Sequence, residues 1–118
     1  MERILDELEH HGLLSDARAA EALLHAKAPR WGARRLRQAL QARALPAEVV
    51  EEAVRGARAS EWTRACALWR RRFGAAPADA REHARQLRFL LARGFDAELA
   101  RRVIRERGGG DDEHGDPP

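Results

Sequence analysis

Cys66 is the only cysteine in the 118-residue chain, so no internal disulfide can form. Lysine occurs once, at Lys27, tyrosine not at all, and the aromatics amount to three Trp and three Phe. β-branched residues are few and never alternate with polar ones over a strand length, which argues against sheet. No apolar run approaches the ~20 residues a membrane helix needs, and the opening Met1-Glu2-Arg3 has no signal-peptide pattern. The only serines, Ser15 and Ser60, both stand where a helix would be capped, so acyl-transfer machinery is missing. Gly108-Gly109-Gly110 follows a helix and leads into a tail, which is not the setting of a phosphate loop. His10 and His11 are neighbours and would diverge by about 100° on a helix. His25 and His83 lack a Cys or His at ligand spacing, and His114 lies in the tail. The chain is therefore expected to be no enzyme, to hold no metal or cofactor, and to work in a reducing cytoplasmic setting.

What the chain has in abundance is Ala, Leu, Glu and Arg, all strong helix formers. An all-α fold follows. The stretch 32–54 reads as a helix, a tight corner and a second helix. Leu36, Ala39 and Leu40 form one apolar face at i, i+3, i+4, and Val49, Val50, Ala53 and Val54 form the next. Between them, Ala44-Leu45-Pro46 makes the corner, with the proline suited to a first helical turn. The design recurs at 84–99, where Leu87 and Arg88 match Leu36 and Arg37, Gly94 takes the Ala44 place, and Phe95-Asp96 match Leu45-Pro46. A shorter copy, Leu5 to Leu8 and then Gly12-Leu13-Leu14-Ser15, opens the chain. Repetition of this kind points to a tandem array of small helical units. The expected division is a remnant of a first unit over 1–12, a three-helix unit over 13–58, a second over 59–107, and a disordered acidic tail over 108–118.

Within that division Ile4, Leu5 and Leu8 face inward from a first helix over 2–11 that Gly12 ends. Ser15 is expected to cap a helix reaching Lys27, with Pro29 stopping it and Trp31 covering the joint to the next helix. Gly56 and Ser60 are expected to mark the boundary between units, with Ser60 capping a helix over 61–73. There Trp62, Ala65, Cys66, Trp69 and Phe73 form a buried stripe, which makes Cys66 a small core hydrophobe rather than a reactive thiol. A further helix over 78–93 turns Ala84, Leu87, Leu90 and Leu91 inward. The last runs over 97–107 behind an Asp96 cap and turns Leu99, Val103 and Ile104 inward.

The formal charge is +3, and it becomes +7 when the tail's four acids, Asp111, Asp112, Glu113 and Asp116, are set aside. Almost all of the positive charge is arginine, which forks onto carboxylate and phosphate and stacks on flat rings. A GC-rich genome would produce the same bias, and both readings stand. The candidate partner- or phosphate-binding residues are Arg34, Arg35 and Arg37 in the first complete unit and Arg70, Arg81, Arg85, Arg88 and Arg93 in the second. Arg101 and Arg102 lie beyond the final corner. A single arginine on a helix is as often mere solvated surface, but the repeated placement argues for one shared electropositive strip. Such a strip suits phosphates or an acidic protein surface.

Three segments taken in order resemble the RecX family, regulators of the RecA recombinase: 8–22, with its Gly12-Leu13-Leu14-Ser15-Asp16-Ala17-Arg18; Gly32 to Leu40, with Arg35, Leu36 and Gln38; and Gln86 to Phe95, with Arg88-Phe89-Leu90 and Arg93-Gly94-Phe95. The likeness spans most of 4–107. The chain departs from the family pattern at Ala44 (usually Gly), Ala39 (Glu) and Leu13 (an aromatic), so the Ala44 corner is expected to be mildly strained or of slightly different turn type. Members usually carry a further N-terminal stretch. The resemblance implies a curved, elongated array of three-helix (helix-turn-helix-like) repeats. It also implies binding to the RecA filament on single-stranded DNA and restraint of RecA's ATPase, coprotease and recombinase activities; the chain is expected to be a monomer and to meet the single strand directly or through the filament. The rival is a direct DNA binder of helix-turn-helix type, since the units have the right length; against it, no helix shows the Asn/Gln/Arg cluster that reads base edges. A scaffold binding some other protein is the third reading.

Overall fold

The computed structural model describes residues 13–107; the expectations for 1–12 and 108–118 lie outside the described residues. Six helices follow one another: α1 Leu14–Lys27, α2 Ala33–Ala42, α3 Ala47–Ala59, α4 Glu61–Arg72, α5 Ala80–Ala92 and α6 Ala97–Arg107. No strand occurs among the described residues. The all-α expectation therefore holds, as does the tandem three-helix plan. Helices α1, α2 and α3 pack on one another, α4, α5 and α6 do the same, and α3 meets α4 between the trios. The molecule is elongated, 52 × 29 × 20 Å.

Each trio closes over its own core. In the first, Ala20 and Leu23 of α1 meet Ala33 and Leu40 of α2 and Val49, Val50 and Val54 of α3. In the second, Ala65, Cys66, Leu68 and Trp69 of α4 meet Leu90, Phe95, Ala100, Val103 and Ile104. The apolar stripes read from the sequence supply most of these residues, because removing them from water is what drives the packing. Their outer members are only half-buried: Trp62, Phe73, Ala84, Leu87, Leu91 and Leu99 sit at the rim. Burial pushes the Cys66 thiol pKa up, which suits an inert core residue.

Both corners place their pivot in the left-handed region. Gly94 has φ +94° and Ala44 has φ +58°. The strain expected at Ala44 is thus present, since an L-residue there costs about 1–2 kcal/mol.

Four expectations give way. Helix α1 begins at Leu14, so Ser15 lies inside the first turn and makes no cap; Leu13 occupies the cap position and packs against the core. Gly56 is inside α3 rather than at a boundary, on an exposed face. Ser60 does not cap α4, because its hydroxyl donates to the Ala57 carbonyl (3.3 Å) and accepts from Arg64 Nε (2.9 Å). Helix α5 starts at Ala80, two residues later than expected, where the Asp79 carboxylate accepts from the Glu82 N–H at 2.8 Å.

Candidate interaction surface at the joint between the units

The beginning of α2 is where the two trios are locked. Its first N–H groups have no partner within their own helix, and the second trio supplies acceptors. The Gly32 N–H donates to the Arg93 carbonyl (2.7 Å), the Arg34 N–H to the Gly94 carbonyl (3.2 Å), and the Ala33 N–H to Glu61 Oε2 (2.8 Å). Glu61 is buried, with Arg58 3.8 Å away as its ionic partner. Because these donors are taken, the α2 terminus is not an open phosphate cradle.

The approach at this point is backbone to backbone. A Cβ on Gly32 would stand 2.5 Å from the Gly94 carbonyl carbon, and a Cβ on Gly94 would stand 2.4 Å from Arg35 Cβ. Only hydrogen fits at both places. Arg64 ties the rear of the joint. Its guanidinium donates to the carbonyls of Ala28 (2.7 Å), Trp31 (2.6 Å) and Ala57 (2.7 Å). Burial draws its pKa down, with Glu61 opposing the shift; a guanidinium keeps its proton regardless.

This lock brings the exposed pair Arg34 and Arg35 beside Arg93. The Arg35 guanidinium lies 4.4 Å from the Trp31 ring centroid and donates to the Ala92 carbonyl at 3.3 Å. Lys27 Nζ stands 5.2 Å from the same ring. Trp31 thus serves as a platform for two cations.

On α5, Arg81, Arg85 and Arg88 are spaced four and three apart, which puts them along one side of the helix. Arg85 donates twice to Glu82 (2.9 and 3.0 Å), raising its own pKa and lowering that of the carboxyl. Among the described residues the side chains of Arg34, Arg81, Arg88 and Arg101 have no hydrogen bond or ion pair, and all four are exposed, as is Arg70. Arg37 is engaged differently: it forks onto Glu51 of α3, one of the two bonds at 3.2 Å. That bonding raises the Arg37 pKa and holds Glu51 below the usual carboxylate range. Arg102 pairs with Glu106 at 2.8 Å and lies 4.7 Å from the Trp62 ring. The joint therefore gathers Arg34, Arg35 and Arg93, while Arg37 and Arg102 are occupied by carboxylates of their own units.

Sequence reasoning missed Glu61, Arg64 and Gln86. The Gln86 side chain is buried, accepting from Trp69 Nε1 (2.8 Å) and donating to the Ala75 carbonyl and to Glu82 (both 3.1 Å). The partners of Glu61 and Arg64 at the joint are 28 to 36 residues away, so no local pattern announces them. For Gln86 the available signal was a polar residue beside the inward Leu87 and Leu90.

A family model described as the second three-helix domain of RecX matches residues 15–54, and one described as the third matches 59–104. The Regulatory protein RecX of Leptothrix cholodnii is 47% identical over 105 residues, 89% of this chain and 67% of that protein. Its namesake in Ralstonia nicotianae is 43% identical over 104 residues (88% and 65%), and that of Chromobacterium violaceum 40% over 109 residues (92% and 69%). The chain spans about two thirds of the length of these curated relatives. No solved structure matches it significantly. With two consecutive family domains and relatives this similar along most of its length, the chain belongs to the RecX family of regulatory proteins.

Proposed function

We propose that the chain is a non-enzymatic cytoplasmic regulator that binds, as a monomer, the RecA filament on single-stranded DNA and restrains RecA's ATPase, coprotease and recombinase activities. The units 13–58 and 59–107 act as one body, and the docking strip runs from Arg34 and Arg35 across the joint to Arg93 and along Arg88, Arg85 and Arg81. Arg70, Arg101 and Arg102 supply flanking charge. Family membership supplies the partner. The observation that supports the surface is the bond pair from Gly32 and Arg34 to the Arg93 and Gly94 carbonyls, because it joins the backbone at the start of α2 to that at the end of α5.

RecA ATPase on single-stranded DNA, titrated with this chain, tests the reading. Charge reversal at Arg34 together with Arg88 is expected to raise the half-inhibiting concentration at least tenfold, a loss of about 1.4 kcal/mol. Arg37→Gln is expected to do much less, since Glu51 already neutralises that guanidinium. A chain ending at Arg107 shows whether the acidic tail screens the strip. A folded Arg34/Arg88 variant that inhibits like the parent would dispose of this surface.

A further inference from the structure

Phe73, at the end of α4, and Phe89, in the last turn of α5, meet edge to face with centroids 5.3 Å apart. Both rings are half-buried. Three guanidinium groups stand against them: Arg72 at 5.3 Å from Phe89 and 5.5 Å from Phe73, Arg85 at 5.1 Å from Phe73, and Arg93 at 4.8 Å from Phe89. Of the three, only Arg85 has a carboxylate, Glu82. Among the described residues Arg72 and Arg93 have no ion pair, so the rings hold them. Across 62–95 the sequence places eight arginines against only Asp79 and Glu82, and no lysine.

Rings and ion pairs leave an arginine in different states. A carboxylate uses up the N–H fork; an aromatic ring attracts the cation without taking its donors. Arg72 and Arg93 are thus restrained at little cost to their hydrogen-bonding capacity, and a guanidinium plane is itself a surface on which a base can stack. Phosphate forks combined with stacking faces are what a single strand requires. A duplex keeps its bases stacked inside, and an acidic peptide has no use for the flat faces.

We propose that the Phe73–Phe89 cluster with Arg72, Arg85 and Arg93 binds single-stranded nucleic acid directly, with little sequence preference, through arginine forks on phosphates and stacking on bases. Binding at this cluster does not depend on the RecA reading, and its test contains no RecA.

The measurement is fluorescence anisotropy of labelled oligothymidylate titrated with the full chain over a range of salt concentrations. The parent is expected to bind with a Kd that weakens as salt rises. Arg72→Gln with Arg93→Gln should raise Kd at least tenfold and flatten the log Kd–log salt slope by about 1.4, at about 0.7 for each phosphate no longer neutralised. Arg72→Lys with Arg93→Lys keeps charge and helix propensity; it should leave the slope intact yet weaken binding several-fold. Thermal midpoints confirm that each variant is folded. The proposal is overturned if the parent does not bind the oligomer, or if either folded double variant binds as the parent does. Duplex DNA binding as tightly as the single strand, or polyglutamate displacing the oligomer as well as unlabelled oligothymidylate does, would equally overturn it.

Discussion

The two trios share a plan and differ in substance. Each runs helix, left-handed corner, helix, but the first fills its core with Ala, Leu and Val, whereas the second uses Trp69 and Phe95. Their arginines follow suit. In the first trio Arg37, Arg55 and Arg58 go to Glu51, Glu52 and Glu61, while Arg35 lies over the Trp31 ring. In the second, Arg72, Arg85, Arg93 and Arg102 lie over rings, and only Arg85 and Arg102 also hold a carboxylate. Availability of charge is thus set by what stands next to each arginine, not by the plan the trios share.

The corners sharpen the contrast. Gly94 and Ala44 occupy the same place in the plan, yet Gly94 alone lies against another backbone. Gly94→Ala is expected to cost about 3 kcal/mol, from positive φ and overpacking together, read as a fall in urea midpoint. A much smaller loss would mean that the joint has room to open. Gln86→Leu, which strands the Trp69 indole N–H in the aromatic core, should cost about 2 kcal/mol. Among the described residues the first trio buries no polar side chain of its own, so it has no equivalent liability. Ala44→Gly is expected to work in the opposite sense, stabilising by about 1 kcal/mol as the left-handed strain is relieved; no gain would mean that the corner is held open for some other reason.

The smallest effect is electrostatic. Glu51, Glu82 and Glu106 are each held below the ordinary value of 4.5 by a hydrogen bond from an arginine. A folded pKa lowered in this way contributes stability above that value, which is lost as pH falls through the lowered one. Thermal midpoints followed from neutral into acid should therefore drop. Glu82→Gln with Glu106→Gln should remove more of that drop than Glu51→Gln, because two of the three pairs are in the second trio. The pairs are exposed, so added salt should shrink the difference.

Much of the fold was legible because its causes are local. Apolar residues at helical spacing announced the cores, and Pro46 and Gly94 announced the corners. Ser15 and Ser60 misled because capping is a competition: Leu13 took the first cap position, and Arg64 took the second hydroxyl. Gly56 looked like punctuation, yet α3 continues through it on packing from Val49, Val50 and Val54. Of the candidate surface, the sequence named Arg34, Arg35 and Arg93 but not what brings them together. Glu61 and Arg64 act across the joint, and periodicity along a single helix says nothing about partners on another.

The contact of Gly32 with Gly94 has a mechanical consequence. Where two bodies touch through side chains, rotamers yield and soften a push; here main chain bears on main chain, with nothing compressible between. Force applied to one trio is therefore expected to reach the other through main chain, and the interval between their outer arginines to act more as a gauge than as a spring.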